Sequence, residues 1–370
     1  MTDCLRATYE LTPEAGEDVE DKAVDITLEQ TVELPEAVLS GDLRERVVGR
    51  IIDLEALDGV RWRVVIDFPM AAVGTELTQI VNVLFGNISL KRGIRLTAVH
   101  WPPELRTALG GPGHGVAGLR RLTGVDDRAL LAAAVKPVGL DAAALAGICR
   151  DFARGGIDII KDDHGLADQP SAPFTDRLEA CQAAVNAVNT ADGRRALYLP
   201  NVSAPWPRMM ERARQARDAG CVAVLVNALP VGLDALGWLR DELGLAVMAH
   251  PSLTGGLFGP GHGIAPEVLL GDLFRLAGAD MVIYPNVGGR FGFDQALCER
   301  INQRLREPLK GIQPALPTPG GGIDAARAGH WAERYGPDTL LLVGGSLYLQ
   351  GDLAAAAHRL RRAVESQVLA

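Results

Sequence analysis

The sequence predicts an α/β fold: a (β/α)8 TIM barrel over residues 113–370, preceded by a small α+β domain of ferredoxin-like type over residues 1–112. Two observations carry this. From about residue 130 onward, short apolar runs alternate with longer Ala- and Leu-rich stretches of helical period. Before that point strand-like and helix-like segments mix, and the breaker cluster GGPGHG at 110–115 separates the two regimes.

In the first region RWRVVIDFP (61–69) reads as a strand and GTELTQIVNVLFG (74–86) as a helix. In the second, eight apolar runs read as strands: LAAAV (131–135), IDII (157–160), LYL (197–199), VAVLV (222–226), LAVMA (245–249), MVIY (281–284), the weaker IQPAL (312–316) and TLLLV (339–343). Runs apolar throughout suit parallel strands covered on both faces. The stretches between them, such as LDAAALAGICRDFARG and PRMMERARQARDAG, often close on a glycine, as a helix C-cap does. Eight such units in about 240 residues fit a barrel. An open doubly wound sheet would require GxGxxG after its first strand, and the sequence has none there.

A net charge of −9 without long single-sign runs argues against nucleic-acid partners and against a polybasic membrane patch. The acidic, polar N-terminal stretch and the absence of an 18-residue apolar run lead to the expectation of a cytoplasmic protein. The five cysteines are odd in number and lack metal-ligand spacing, so disulfides are not expected.

In a parallel barrel every strand delivers its C-terminal end to one mouth. Lys136 follows the first run; Lys161, Asp162, Asp163 and His164 follow the second; Asn201, Asn227 and His250 follow the third, fourth and fifth. The sixth run leads into PNVGGRFGF with Arg290, and the last two into PTPGGG and GG. Glycines in those final loops leave backbone N–H groups free to wrap a phosphate, so Gly320, Gly321, Gly322, Gly344 and Gly345 point to a phosphorylated substrate. Carboxylate oxygens such as those of Asp163 suit a divalent cation, and a lysine joins such a site only as a CO2 carbamate. His114 and His262, each in a Gly-Pro-Gly-His-Gly setting, read as loop-structure residues.

These residues resemble the ribulose-1,5-bisphosphate carboxylase/oxygenase (RuBisCO) family. GGIDIIKDDHG (155–165) is similar to its metal-binding segment, GPGHG (111–115) to its linker, VKPVGL (135–140) to a strand end, LFGN (84–87) to a turn of its N-terminal domain and LVGGS (342–346) to its last phosphate loop. The resemblance implies Lys161, Asp163 and His164 as metal ligands, with Lys161 carbamylated and Mg2+ or another divalent cation bound. It implies Lys136 as the proton-handling lysine, His250 beside the bound sugar, Arg290 in place of a mobile-loop lysine, and phosphate at Gly321, Gly322, Gly344 and Gly345. Glu29 and Asn87 would reach the barrel mouth of a partner in a head-to-tail homodimer, and Asn201 would face the substrate.

Departures from the carboxylase pattern matter as much. His164 replaces a glutamate ligand, Val138 a lysine, Pro251 a phosphate-gripping arginine and Arg290 a lysine. The chain therefore resembles the RuBisCO-like, form IV branch, which does not fix CO2. Its expected chemistry is a metal-stabilised enolate made from a phosphorylated keto sugar or sugar acid. Polar Asn201 and Asn227 in the cleft favour decarboxylation of a 3-oxo sugar-acid phosphate, of the 3-oxo-isoapionate 4-phosphate type. The alternatives are an isomerase or enolase of methylthio-sugar phosphates in methionine salvage, for which Leu229, Leu253 and Leu257 could line a thioether pocket, and a non-catalytic phosphate-ligand binder.

Overall fold

The computed structural model describes residues 4–366. Strands β1 (Cys4–Leu11), β2 (Arg50–Ala56), β3 (Trp62–Pro69) and β4 (Ile94–His100) form an antiparallel sheet in the order β4-β1-β3-β2. Helices Val19–Glu29 and Leu77–Phe85 stand between the strands in sequence, which gives the ferredoxin-like β-α-β-β-α-β sequence of elements. β1 alternates buried and partly exposed residues, with Leu5, Ala7, Tyr9 and Leu11 in the core, as a sheet with one covered face requires.

The barrel strands are β5 (Leu130–Val135), β6 (Ile159–Asp162), β7 (Leu197–Leu199), β8 (Ala223–Asn227) and β9 (Ala246–His250). A two-residue strand, β10 (Gly263–Ile264), then leaves the barrel and pairs parallel with β4. The barrel resumes with β11 (Met281–Pro285), β12 (Leu316–Gly320) and β13 (Leu340–Val343). These eight strands run in the order β7-β6-β5-β13-β12-β11-β9-β8, and a parallel bridge between Asn201 and Leu225 joins the two ends. The predicted (β/α)8 barrel is present, with shifts at several strand ends, Asn227 among them as the last residue of β8. β6 extends to residue 162, so Lys161 and Asp162 lie within the strand and not beyond it. His250 likewise ends β9. The seventh strand lies four residues later than IQPAL, over Leu316–Gly320.

Two prolines made that seventh strand illegible. Leu316 donates its N–H to Asp280 O on the β11 side, so residues 316, 318 and 320 turn their amides that way. Pro317 and Pro319 therefore present their missing N–H to β13, with which β12 pairs through Gly320 and Leu342.

The closed base of the barrel contains an ion pair that explains one motif residue. Asp158, of Gly-Gly-Ile-Asp, takes a two-pronged contact from Arg128 at 2.7 and 2.8 Å and also accepts the Leu131 N–H at 2.9 Å. Both side chains are almost wholly buried. Asp158→Ala leaves the guanidinium unpaired, and stability should fall by about 3–5 kcal/mol. The check is the denaturant midpoint, and an unshifted midpoint would show that the pair contributes nothing.

Where the N-terminal sheet meets the barrel, residues Glu267–Leu273 form a π-helix that buries Asp272. Burial raises this carboxyl to about 7; Arg304 opposes the rise and Glu307 adds to it. A raised carboxyl contributes stability that is fully present below its unfolded value, near 4, and lost as pH rises through about 7. Asp272→Asn should therefore remove that loss, so the melting-temperature gap in favour of the variant widens from pH 4 to pH 8. Parallel melting curves across that range would contradict the assignment.

Candidate active site

The C-terminal ends of β5, β6 and β9 bring five side chains together. Lys136, just past β5, places Nζ 2.5 Å from Asp163 Oδ1. His164 Nδ1 lies 3.6 Å from Asp163 Oδ2, and its ring stacks on His250 with centroids 4.1 Å apart and planes 11° from parallel. Lys161 is buried in β6, and its amine donates to Asp162 O at 2.9 Å. The sequence-expected Lys136, Lys161, Asp163, His164 and His250 are thus one cluster.

Electrostatics follow from crowding of cations under partial burial. Burial pushes the Lys161 amine down to about 8; Asp163 opposes this and Lys136 reinforces it. Burial raises the Asp163 carboxyl, but the hydrogen bond from Lys136 and the charges of Lys161 and Lys136 outweigh it, and the group sits below its usual value. Both imidazoles are pushed down, chiefly by burial, with Lys161 adding to the effect in each. They are therefore neutral near pH 7 and able to relay a proton.

Asn201 and Asn227 hold this arrangement. Asn201 is fully buried; its amide donates to His164 O at 3.0 Å and Leu166 O at 2.8 Å, and its oxygen accepts from Ser203 N. Asn227 Nδ2 also donates to His164 O, at 3.1 Å. The polar groups from which a sugar-acid pocket was inferred are thus spent on the loop that carries His164.

Behind the loop, Asp162 is buried against Arg177 Nε at 3.0 Å, Tyr198 OH at 2.8 Å and Asn201 N at 3.0 Å, which turns it away from the ligand set. Sequence reasoning missed Ser252, whose hydroxyl meets His250 Nδ1 at 2.8 Å, and Tyr348, whose hydroxyl accepts the Lys136 N–H at 2.8 Å and donates to Ala134 O. Tyr348 lies 212 residues from Lys136, so no local signal marks it.

The glycines divide by cause. Gly322 has φ +66°, and a methyl there would meet Val287 O at 2.6 Å, so loop packing alone requires it. A methyl at Gly344 or Gly345 would meet nothing within 4 Å, which leaves open space where an anion could approach the backbone. Gly321, with φ +96°, faces the backbone of Gly289. Arg290 is exposed on the loop after β11.

Far along the chain from these, Asn87 Nδ2 donates to Glu29 Oε1 at 3.0 Å, and Lys91 approaches the same carboxylate. His114 and His262 tie loops together through Gly244 O and Ser89 O, as loop-structure residues do.

Residues 115–369 match the family described as ribulose bisphosphate carboxylase large chain, catalytic domain. The chain belongs to this family. It is a RuBisCO-like, non-carboxylating member. The 5-methylthioribulose-1-phosphate isomerase of Rhodospirillum rubrum is 39% identical over 350 residues, covering 94% of this chain and 92% of the relative. The 2,3-diketo-5-methylthiopentyl-1-phosphate enolase of Geobacillus kaustophilus is 31% identical, covering 99% and 92%. The crystal structure of a Rubisco-like protein from Rhodopseudomonas palustris superimposes with a TM-score of 0.90 at 39% identity, covering 99% of each chain. Among the described residues of this family member, no helix is long and apolar enough to cross a membrane.

A divalent ion fits this donor set under one condition. No group of three His, Cys, Asp or Glu side chains converges for a metal among the described residues, so Asp163 and His164 need a third ligand. Lys161 can supply it as a carbamate, since burial favours the neutral amine that reacts with CO2. An imidazole in the set favours manganese, zinc or nickel more than a carboxylate would.

Proposed function

We propose that the protein is an isomerase of a phosphorylated ketose with a thioether tail, of the 5-methylthioribulose 1-phosphate class, and that it acts through an enolate. The observation that carries this reading is the character of the barrel mouth. Asn201 and Asn227 are spent on His164 O, while Val138, Leu253 and Phe291 are 46%, 71% and 65% exposed on the loops after β5, β9 and β11. Leu253 holds φ +69°, a backbone conformation that a bulky residue seldom adopts away from functional sites. An exposed apolar rim suits a thioether tail better than a sugar acid. The named activity of the Rhodospirillum relative supports the same choice. Decarboxylation of a 3-oxo sugar-acid phosphate passes through a similar enolate and is the second reading, though the two asparagines no longer favour it.

Lys136 is the amine that reaches the substrate, because it is partly exposed and Lys161 is buried. As the neutral amine, its own proton released, it takes the proton from the carbon next to the carbonyl and becomes the ammonium, which returns a proton to the neighbouring carbon to complete the isomerisation. His250, neutral and oriented by Ser252, handles the hydroxyl proton, with His164 stacked on it in the ligand set. A divalent ion held by Asp163, His164 and carbamylated Lys161 would polarise the carbonyl and stabilise the negative charge that develops there. The backbone at Gly321, Gly322, Gly344 and Gly345 would hold the single phosphate, with Arg290 closing over it. Glu29 and Asn87 would complete the mouth of a second copy in a head-to-tail homodimer.

The test is to incubate the protein, bicarbonate and Mg2+ or Mn2+ with each candidate substrate while following product by NMR and CO2 release. Conversion of the thioether ketose phosphate to an isomer without CO2 is the expected result. Release of CO2 from the sugar acid, with the ketose untouched, would reinstate the decarboxylase.

A further inference from the structure

Away from the barrel mouth, a cleft of about 160 Å³ lies where the end of β4 and helix Pro103–Leu109 meet the π-helix and the end of helix Gln295–Arg306. Three polar atoms on its wall lack a well-formed hydrogen bond: Trp101 Nε1 and Asp272 Oδ2, which face each other without making one of good geometry, and Arg106 Nε. Trp101 and Asp272 are each only 6% exposed. Buried polar groups in native proteins are almost always paired, so three orphans around one space call for an occupant.

The wall dictates its chemistry. Trp101 and Arg106 offer N–H donors, and Arg275 adds a fixed positive charge, four of whose five N–H groups are spent on the carbonyls of Arg304, Glu307, Ile312 and Gln313. Arg304 Nε stands 4.0 Å from Asp272 Oδ1, too far for a hydrogen bond. The three arginines Arg106, Arg275 and Arg304 outnumber the two acidic residues on the wall, Asp272 and Glu307, and with the Trp101 donor they select an oxyanion. Asp272, by contrast, is an acceptor when ionised and is satisfied only by a ligand oxygen that carries a hydrogen. Hydrogen phosphate has one O–H and three accepting oxygens; sulfate has no O–H, and neither has the dianion of a phosphate ester.

We propose that this junction between the N-terminal sheet and the barrel is a binding site for inorganic hydrogen phosphate, distinct from the phosphate loops of the mouth. Trp101 and Arg106 donate to its oxygens, and its hydroxyl donates to Asp272. Bound phosphate ties β4 to the π-helix and stabilises the folded chain by mass action.

Equilibrium dialysis of the full chain with radiolabelled phosphate near pH 8, with sulfate as competitor, tests this. Arg106→Gln should weaken one class of bound phosphate by about tenfold or more, as loss of a charged donor does, and leave any phosphate bound at the mouth unchanged. Excess sulfate should fail to displace the junction phosphate from the wild type and should displace it from Asp272→Asn, whose amide can donate to sulfate. Unchanged binding in Arg106→Gln, equal displacement by sulfate from the wild type, or a crystal structure grown in phosphate with only water beside Trp101 would each overturn the proposal.

Discussion

Lys136→Ala lowers turnover of the thioether ketose phosphate by about 10²–10⁴-fold, the range for loss of a positioned acid or base, and leaves affinity for a phosphate-bearing inhibitor nearly unchanged. The split follows from geometry. The Lys136 backbone is fixed by Tyr348, and the glycines proposed to hold phosphate lie on other loops, after β12 and β13. Removing the amine therefore deletes proton transfer without disturbing the anchor. Steady-state rates together with inhibitor titration read both quantities. A variant that turns over like the wild type would remove Lys136 from the mechanism, and one that loses rate and affinity equally would make it a binding residue.

Lys161→Met is expected to have an effect of similar size by a different route. The amine is buried beside Asp162 O, and as a carbamate it would supply the third ligand that Asp163 and His164 lack among the described residues. The wild type should retain a divalent ion on gel filtration when bicarbonate is present and lose it when bicarbonate is withheld. The Met variant should retain none in either condition, with activity reduced by about 10²-fold or more, since electrostatic stabilisation of the developing charge is lost. Metal content independent of both bicarbonate and Lys161 would show that the carbamate plays no part.

Much of this site was legible because a parallel barrel sorts chemistry to its strand ends, so Lys136, Lys161, Asp163, His164 and His250 could be grouped before any contact was known. The strand bounds were less secure. Pro317 and Pro319 disguised β12, and the two residues of β10 are too few to carry a pattern. The largest misreading concerned Asn201 and Asn227. Their positions at the ends of β7 and β8 were visible in the sequence, but the direction of their amides depends on where the His164 carbonyl falls, which only the folded loop defines. Ser252 and Tyr348 were invisible for the same reason. The role of Asp158 as the partner of Arg128 was hidden inside a motif that reads as catalytic.

The most direct measurement is solvent exchange: the protein, bicarbonate, a divalent ion and the thioether ketose phosphate in D2O, with deuterium followed at the carbons flanking the carbonyl. The account predicts deuterium at those carbons with the wild type and none above background with Lys136→Ala. Isomerisation without any deuterium incorporation, or equal incorporation by both proteins, would contradict proton transfer by Lys136 through an enolate.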